Sequence, residues 1–212
     1  MATRITNTLH ESDVRFEYEV AIDANNIRRL RTLIRHKLPP PKNCLYQAMR
    51  CKHKNLIPIL LDAGADPNEF VNRDWTAMGE CILKEDVATL KSLLSRGADP
   101  NLSYRGLPSM LFAARVGNIE VFRLLYKAGA RLFVDPRVAP EALFEAVGRG
   151  HIEIVKFLVD RGVSFTSRKP FGKTAIEYAD QHGTTEIANY LRACKSKKRS
   201  QTRLSTPRRQ RT

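Results

Sequence analysis

The sequence predicts an all-α protein in which short helix–turn–helix units follow one another and stack into a solenoid. Two observations carry this prediction. Apolar residues recur at helical spacing in a series of short segments, and four of these segments end in a glycine. The four glycines, at positions 64, 97, 129 and 162, are 33, 32 and 33 residues apart. A two-helix unit of this length cannot bury its own apolar surface, so each unit needs a neighbour.

The clearest unit is residues 141–162, EALFEAVGRGHIEIVKFLVDRG. We expect a first helix over residues 141–147, a turn at Gly148-Arg149-Gly150 and a second helix from Ile152 to about Asp160. Gly162 would end the second helix, because glycine adopts the left-handed conformation of a helix cap at little cost.

The same pattern recurs in the phrases that precede the four glycines: PILLDAG, KSLLSRG, RLLYKAG and KFLVDRG. Two of the glycines are followed by Ala-Asp-Pro-Asn, at residues 65–68 and 98–101. Proline cannot continue a helix, and Asp and Asn favour turns, so a hairpin is predicted after each of these helices.

A helix–turn–helix–hairpin unit of about 33 residues resembles the ankyrin repeat. Residues 172–179, GKTAIEYA, are similar to the family's opening sequence. Small residues occupy one register of the copies, where they let helices approach closely: Ala48, Cys81, Ala113, Ala146 and Ala179. The family's Thr-Pro-Leu-His is nowhere intact, and its histidine position holds Tyr46, Gly79, Leu111, Phe144 and Glu177.

The resemblance implies one ankyrin domain over residues 16–194 with about six repeats, of which the first and last are degenerate caps. We expect the repeats at about residues 16–37, 43–64, 76–97, 108–129, 141–162 and 174–194. Residues 1–15 lack periodicity, so we expect a flexible N-terminal arm there. Residues 195–212 are basic and poor in apolar side chains, so we expect a disordered tail.

The composition and the N-terminal segment predict in which compartment of the cell the protein is found. No run of apolar residues is long enough to span a membrane, and the polar N-terminal segment lacks the apolar core of a secretory signal. The four cysteines do not have the spacing of a disulfide framework or of a zinc finger. We therefore expect a monomeric intracellular protein, located in the nucleus or the cytoplasm.

Two fragments imitate nucleotide-binding motifs. Gly172-Lys173-Thr174 resembles the end of a phosphate-binding loop, but Ser167 stands where that loop needs its first glycine. Gly148-Arg149-Gly150 resembles a dinucleotide turn, but no glycine occupies the third glycine position of that motif. No nucleophile elbow and no His-Glu-x-x-His motif is present. We expect no enzyme activity, no catalytic residue, no cofactor and no metal site.

The resemblance implies a scaffold or interaction module that binds a partner protein through the concave first-helix face and the hairpin tips. Trp75, Tyr104 and Phe112, edged by Arg50, Arg105 and Arg115, are expected to form an exposed aromatic row on that surface. The alternative is that Trp75 folds over its own hairpin and covers Met78. Replacing all three by alanine is expected to abolish partner binding without unfolding the array. The full set of expected binding residues is Trp75, Tyr104, Phe112, Arg50, Arg105, Arg115, Phe70 and Tyr178.

The basic tail has three interpretations. Between Arg192 and Thr212 lie nine lysines and arginines and no acidic residue, out of a net charge of +14. The tail could bind an import receptor, attract nucleic acid or anionic lipid as an electrostatic tether, or serve only solubility. The nuclear import candidates are Lys195, Lys197, Lys198, Arg199, Arg208 and Arg209. A further alternative is a substrate adaptor for a ubiquitin ligase. The identity of the partner does not follow from the sequence.

Overall fold

The computed structural model describes residues 10–72, 75–168 and 172–205, with the backbone alone at Asn72 and over 198–205. Within these ranges the chain is mostly helical. The helices are α1 Glu11–Asp23, α2 Ile27–Arg35, α3 Cys44–Arg50, α4 Ile57–Asp62, α5 Ala77–Leu83, α6 Val87–Leu94, α7 Ser109–Val116, α8 Ile119–Lys127, α9 Val138–Arg149, α10 Ile152–Asp160, α11 Ala175–Gln181 and α12 Thr185–Ser205. A single 3-10 turn, Lys54–Leu56, leads into α4.

The chain divides into two compact units. Among the described residues, the first comprises those up to 109 together with 127–130, and the second comprises 110–126 and those from 131 to 205. In the first unit α1 packs against α2 and α3, α3 against α4 and α5, and α6 against α4 and α5. In the second unit α9 packs against α10 and α11, and α12 against α10 and α11. Within each unit, first helices therefore pack on first helices and second helices on second helices.

Local sequence signals set the ends of these helices. The side chains of Asn26, Thr76, Asp86 and Thr174 each accept a hydrogen bond from a backbone N–H in the first turn of the helix that follows. Such N-terminal caps satisfy donors that the helix itself cannot. The predicted left-handed glycines are confirmed, with φ of +97° at Gly64, +91° at Gly97 and Gly129, and +86° at Gly162.

Two antiparallel hairpins follow the Asp-Pro-Asn sequences. Strand β1 (Phe70–Asn72) pairs with β2 (Trp75–Thr76), and β3 (Ser103–Tyr104) pairs with β4 (Leu107–Pro108). The predicted hairpins after α4 and α6 are therefore confirmed. The small residues of the common register are all buried as predicted: Ala48, Cys81, Ala113, Ala146 and Ala179.

Helix α9 is longer than the sequence predicted. It begins at Val138 rather than Glu141 and continues to Arg149, so Gly148 is helical and only Gly150 adopts a left-handed conformation, with φ of +82°. Pro140 is accommodated because it lies in the first turn, where its missing N–H would have no intrahelical acceptor. The predicted three-residue turn at Gly148-Arg149-Gly150 is therefore wrong.

The structure also differs from the sequence prediction at both ends. Helix α1 begins at Glu11, inside the segment expected to be a flexible arm. Helix α12 continues to Ser205, so residues 195–205 are helical and not the predicted disordered tail. No glycine or proline follows Cys194 until Pro207, and Ala, Lys, Arg and Gln favour helix. The remainder of both expectations, at residues 1–9 and 206–212, lies outside the described residues.

Candidate functional site

A pocket opens on the first helices of the second unit, between α9 and α11. Its volume is about 330 Å³. The residues that line it are Phe144, Glu145, Gly148, Arg149, Tyr178 and His182. Four of the six come from α9, and Tyr178 comes from α11, whose C-terminal cap is His182. Apolar walls with a few convergent polar groups are typical of a binding site.

The aromatic wall of the pocket depends on a glycine. A β-carbon on Gly148 would lie 2.9 Å from Cε1 of Tyr178, so the tyrosine ring lies directly against the backbone of α9. The same ring meets Phe144 edge to face at a centroid distance of 5.2 Å. The imidazole of His182 also lies against it, with centroids 4.0 Å apart, and Nδ1 of His182 donates a hydrogen bond to the Tyr178 carbonyl. The Tyr178 ring is therefore in contact with the α9 backbone, Phe144 and His182 together.

The polar wall of the pocket is a carboxylate held between two guanidinium groups. Nη2 and Nε of Arg115 donate to Oε1 and Oε2 of Glu145 at 2.7 and 3.2 Å, and Nε of Arg149 donates to Oε2 at 3.2 Å. Partial burial opposes ionisation of Glu145, but the hydrogen bonds and charges of the two arginines outweigh it and lower its pKa. The Arg115 contact also joins α7 to α9.

The three residues of the expected aromatic row are buried in the structure. Trp75, Tyr104 and Phe112 are buried, with only 8%, 0% and 6% of each residue exposed. The exposed row is therefore wrong as a description of these side chains, because they fill the interior instead of facing solvent. The expected binding role of the three residues remains a prediction.

Trp75 and Tyr104 do lie together in the first unit. Their rings meet edge to face with centroids 6.4 Å apart, and the Trp75 Nε1–H donates to Oε2 of Glu80 at 3.0 Å. The guanidinium of Arg105 lies 5.2 Å from the centre of the Trp75 ring. Such a cation–π contact stabilises the hairpin β3–β4 against β2. Phe112 belongs to α7.

The other predicted binding residues lie on several different elements of the fold. Arg50 is exposed at the end of α3, and Phe70 in β1 is 44% exposed. Arg115 and Tyr178 belong to the pocket region described above. Of the import candidates, Lys195 is half-buried and Lys197 is exposed on α12, whereas Lys198 and Arg199 lie where only the backbone is described. Arg208 and Arg209 lie outside the described residues.

The nucleotide-motif fragments serve local structure. Thr174 is the N-cap of α11, and its side chain and that of Glu177 satisfy each other's backbone N–H groups. This reciprocal capping box accounts for the threonine after Lys173. In the ranges that the structure describes, no group of three or more His, Cys, Asp and Glu side chains is arranged to hold a metal ion. Over the same ranges no helix has the length and apolar character required to span a bilayer.

Sequence reasoning missed a second aromatic cluster in the second unit. Tyr126 of α8 meets Phe133 and Phe157 edge to face, at 6.3 and 5.4 Å between centroids. The guanidinium of Arg161 lies 3.5 Å from the Phe157 centroid. Phe133 and its neighbour Val134 are 47% and 76% exposed. The apolar run Leu132-Phe133-Val134 after Gly129 is the sequence signal that could have identified this cluster.

Comparison with known proteins supports the repeat assignment. Residues 110–202 match the family model for ankyrin repeats (3 copies). The chain is 24% identical over 159 residues to the fowlpox virus ankyrin repeat protein FPV018, covering 71% of this chain and 22% of that protein. It is 34% identical over 89 residues to FPV014 of the same virus, covering 42% and 20% respectively.

A third relative is much shorter. The cyclin-dependent kinase 4 inhibitor B of Rattus norvegicus is 28% identical over 108 residues, which is 50% of this chain and 83% of the inhibitor. By contrast, the chain spans only about a fifth of the length of the two fowlpox virus proteins. The repeat match, the stacked helix pairs and the glycine caps agree: residues 110–202 match ankyrin repeats, and the two fowlpox virus relatives are ankyrin repeat proteins.

Proposed function

We propose that this chain is a non-catalytic recognition module that binds a partner protein through the first-helix surface of its second unit. Ankyrin repeats generally mediate protein–protein interaction. The observation that carries the proposal is the pocket between α9 and α11, where an aromatic wall and an ion-pair network meet. Protein interfaces draw much of their binding energy from Tyr, Trp and Arg residues at such places.

The pocket is organised before any partner arrives. Tyr178 is held by Gly148, Phe144 and His182, and Arg149 is held by Glu145. Little side-chain entropy therefore remains to be lost when a partner binds, and this loss is one of the main costs of association. A preorganised aromatic and an arginine at one pocket suit protein recognition better than a mobile surface would.

We also propose that the repeats extend beyond the matched residues. The first unit repeats the packing seen in the second, with first helices α1, α3 and α5 in sequence and α4 against α6. On this proposal the domain holds six repeats with degenerate ends, as the sequence spacing suggests.

Comparative capture from a cell lysate tests the recognition proposal. The full chain, its Tyr178→Ala variant and a control variant, Arg31→Ala, are immobilised at equal density. Arg31 is an exposed residue of α2 in the first unit, so the control changes surface charge without touching the pocket. We expect a protein that is retained by the wild type and the control but lost from Tyr178→Ala. Equal retention on all three surfaces would place recognition elsewhere.

A second candidate function rests on helix α12. Its C-terminal part is the start of the segment with nine basic residues and no acidic residue, and it continues as a helix to Ser205. We propose as the alternative that this basic helix tethers the protein to nucleic acid or anionic lipid, or is recognised by a nuclear import receptor.

Salt dependence separates the two candidates. Binding of duplex DNA through α12 should weaken steeply with salt, with a slope of about −0.9 per phosphate contacted on logarithmic axes. Binding through the pocket should weaken less steeply, because it combines aromatic contacts with a charge contact at Arg149 and does not depend on several phosphates. For the import role, a fluorescent fusion with Lys195, Lys197, Lys198 and Arg199 replaced by glutamine should lose nuclear enrichment, and an unchanged distribution would contradict it.

A further inference from the structure

We infer that the pocket between α9 and α11 accepts the carboxylate side chain of an aspartate or glutamate in an acidic segment of the partner. This inference rests on the proposed function and adds the chemistry of the group that enters the pocket. It follows from the donors that the pocket leaves unused, from its local charge and from its apolar walls.

The unused donors belong to Arg149. Its Nε bonds to Oε2 of Glu145, whereas its Nη1 and Nη2 atoms have no hydrogen-bond partner among the described residues. Half of its side chain is exposed. The planar guanidinium therefore presents donors at the pocket while Nε anchors it in place. A carboxylate has two acceptor oxygens in one plane, and this arrangement matches the coplanar N–H donors of the guanidinium.

The local charge favours an anion. Glu145 is the carboxylate that lines the pocket, and both of its oxygens already accept hydrogen bonds from Arg115 or Arg149. Two arginines against one glutamate leave a net positive charge beside the pocket. A lysine or arginine from a partner would find three of the about four acceptor sites of this carboxylate already used, and would also meet two like charges. The pocket therefore disfavours a cationic side chain.

The walls suit the rest of an acidic side chain. Phe144 and Tyr178 present apolar surface, and the absent side chain of Gly148 lets the Tyr178 ring lie against α9 as one wall of the pocket. The methylene groups of aspartate or glutamate can lie against these rings while the carboxylate reaches Arg149. The net charge of +14 over the whole chain would also steer an acidic partner towards the protein.

Selection from a phage-displayed library of random peptides provides the test. The full chain is the bait, and parallel selections use Arg149→Ala and the control Arg31→Ala. We expect wild type and control to enrich the same Asp- or Glu-containing motif, and Arg149→Ala to lose that motif. Acidic peptides that persist on Arg149→Ala would be bound elsewhere, for example by α12, and would overturn the inference.

A double-mutant cycle then assigns the contact. The acidic residue of the selected peptide is changed to its amide, and the affinities of both peptides are measured against wild type and Arg149→Ala. We expect each single change to weaken binding about tenfold or more, and the second change to add little once the first is made. Fully additive losses would show that the two groups do not meet, and would overturn the inference.

The same selection distinguishes failure of the inference from failure of the proposed function. Peptides without acidic residues that still need Tyr178 would overturn the carboxylate assignment and leave the recognition site in place. If wild type selects no peptide whose binding depends on Tyr178, the recognition proposal fails together with the inference.

Discussion

A β-carbon built on Gly79 would lie 2.5 Å from Cδ1 of Tyr104, which means that the Tyr104 ring lies directly on the backbone of α5. Tyr104 is completely buried, and Trp75 and Thr76 are buried beside it. Gly79 occupies the position where the family has histidine. The side chain that Gly79 lacks leaves a space, and Tyr104 of the next hairpin fills it.

This contact predicts that Gly79→Ala lowers the free energy of unfolding, which is the opposite of the usual effect of this substitution in a helix. Glycine to alanine inside a helix ordinarily stabilises by roughly 0.5–1 kcal/mol. Here the added methyl group would overlap a buried ring that cannot move away, so we expect a net destabilisation of about 1–3 kcal/mol. Urea unfolding followed through Trp75, the sole tryptophan of the chain, measures the change.

Two variants control this prediction. Gly148→Ala places a β-carbon 2.9 Å from Cε1 of the half-buried Tyr178, a less severe overlap than the 2.5 Å at Gly79, so its cost should be smaller. Combining Gly79→Ala with Tyr104→Leu should recover part of the lost stability, because leucine lacks the ring. A stabilising Gly79→Ala would contradict the packing described here.

Trp75 should report a buried environment and contribute strongly to stability. Its ring is 8% exposed, contacts Tyr104 and lies beneath Arg105. We expect blue-shifted fluorescence in the native state and a loss of about 3–5 kcal/mol for Trp75→Ala. Trp75→Phe should cost less because it keeps most of the buried area.

The same burial changes what the triple alanine variant would do. Changing Trp75, Tyr104 and Phe112 together should unfold the protein, contrary to the expectation drawn from the sequence. Circular dichroism of the triple variant, with Arg31→Ala as a surface control, shows whether the protein unfolds or keeps its native helices. A triple variant with native helicity and a native unfolding transition would restore the expectation of an exposed row.

The Glu145 ion pairs should make stability depend on pH. Because the arginines lower the pKa of Glu145 below its ordinary value of 4.5, the stability it contributes is present above that pH. It is lost as the pH falls through the lower folded pKa. The difference in unfolding free energy between wild type and Glu145→Gln should therefore be constant near neutrality and shrink in acid.

Near neutral pH we expect Glu145→Gln to cost about 1–2 kcal/mol, since the variant loses charge-assisted hydrogen bonds. Glu153→Gln is a matched control, because Glu153 pairs with Lys156 on the exposed side of α10. Surface pairs of this kind contribute about 0–1 kcal/mol. A pH-independent difference for Glu145→Gln would show that its carboxylate is not preferentially ionised in the folded state.

The four cysteines should fall into two reactivity classes. Burial raises the pKa of Cys44 to about 12, and burial likewise raises the pKa of Cys81. Both side chains are also shielded, whereas Cys51 and Cys194 are partly exposed. Thiolate formation and access govern thiol reactivity. We expect Cys51 and Cys194 to react with a disulfide reagent in the native protein, and Cys44 and Cys81 only after unfolding.

Mass spectrometry of the labelled peptides identifies which thiols react. The pKa of Cys51 is itself raised, by partial burial and by its hydrogen bond to Asp23, so its reaction should be slow for an accessible thiol. Asp23→Asn should accelerate it. Rapid labelling of Cys44 or Cys81 in the native protein would contradict their burial.

Much of the fold could be predicted because its signals are local. The glycines at 64, 97, 129 and 162 end helices through their own backbone conformation, and the Asp-Pro-Asn sequences turn the chain within a few residues. The length of α12 is not apparent from the sequence, because its basic run favours disorder while the helix propensity of the same residues favours a helix. The start of α9 is not apparent either, because Pro140 ends most helices and is accepted here only as a first-turn residue.

The sequence by itself therefore determined the repeat, its period, its small-residue register and the positions of its hairpins, since each depends on residues close together in the chain. Only the tertiary structure decided which side chains face solvent. Tyr104 is buried because Gly79 in the preceding repeat leaves space for its ring. Tyr178 forms one wall of the pocket because Gly148 leaves space for its ring beside α9. These pairs come from different repeats, so their steric fit is created by folding and cannot be read from either segment alone.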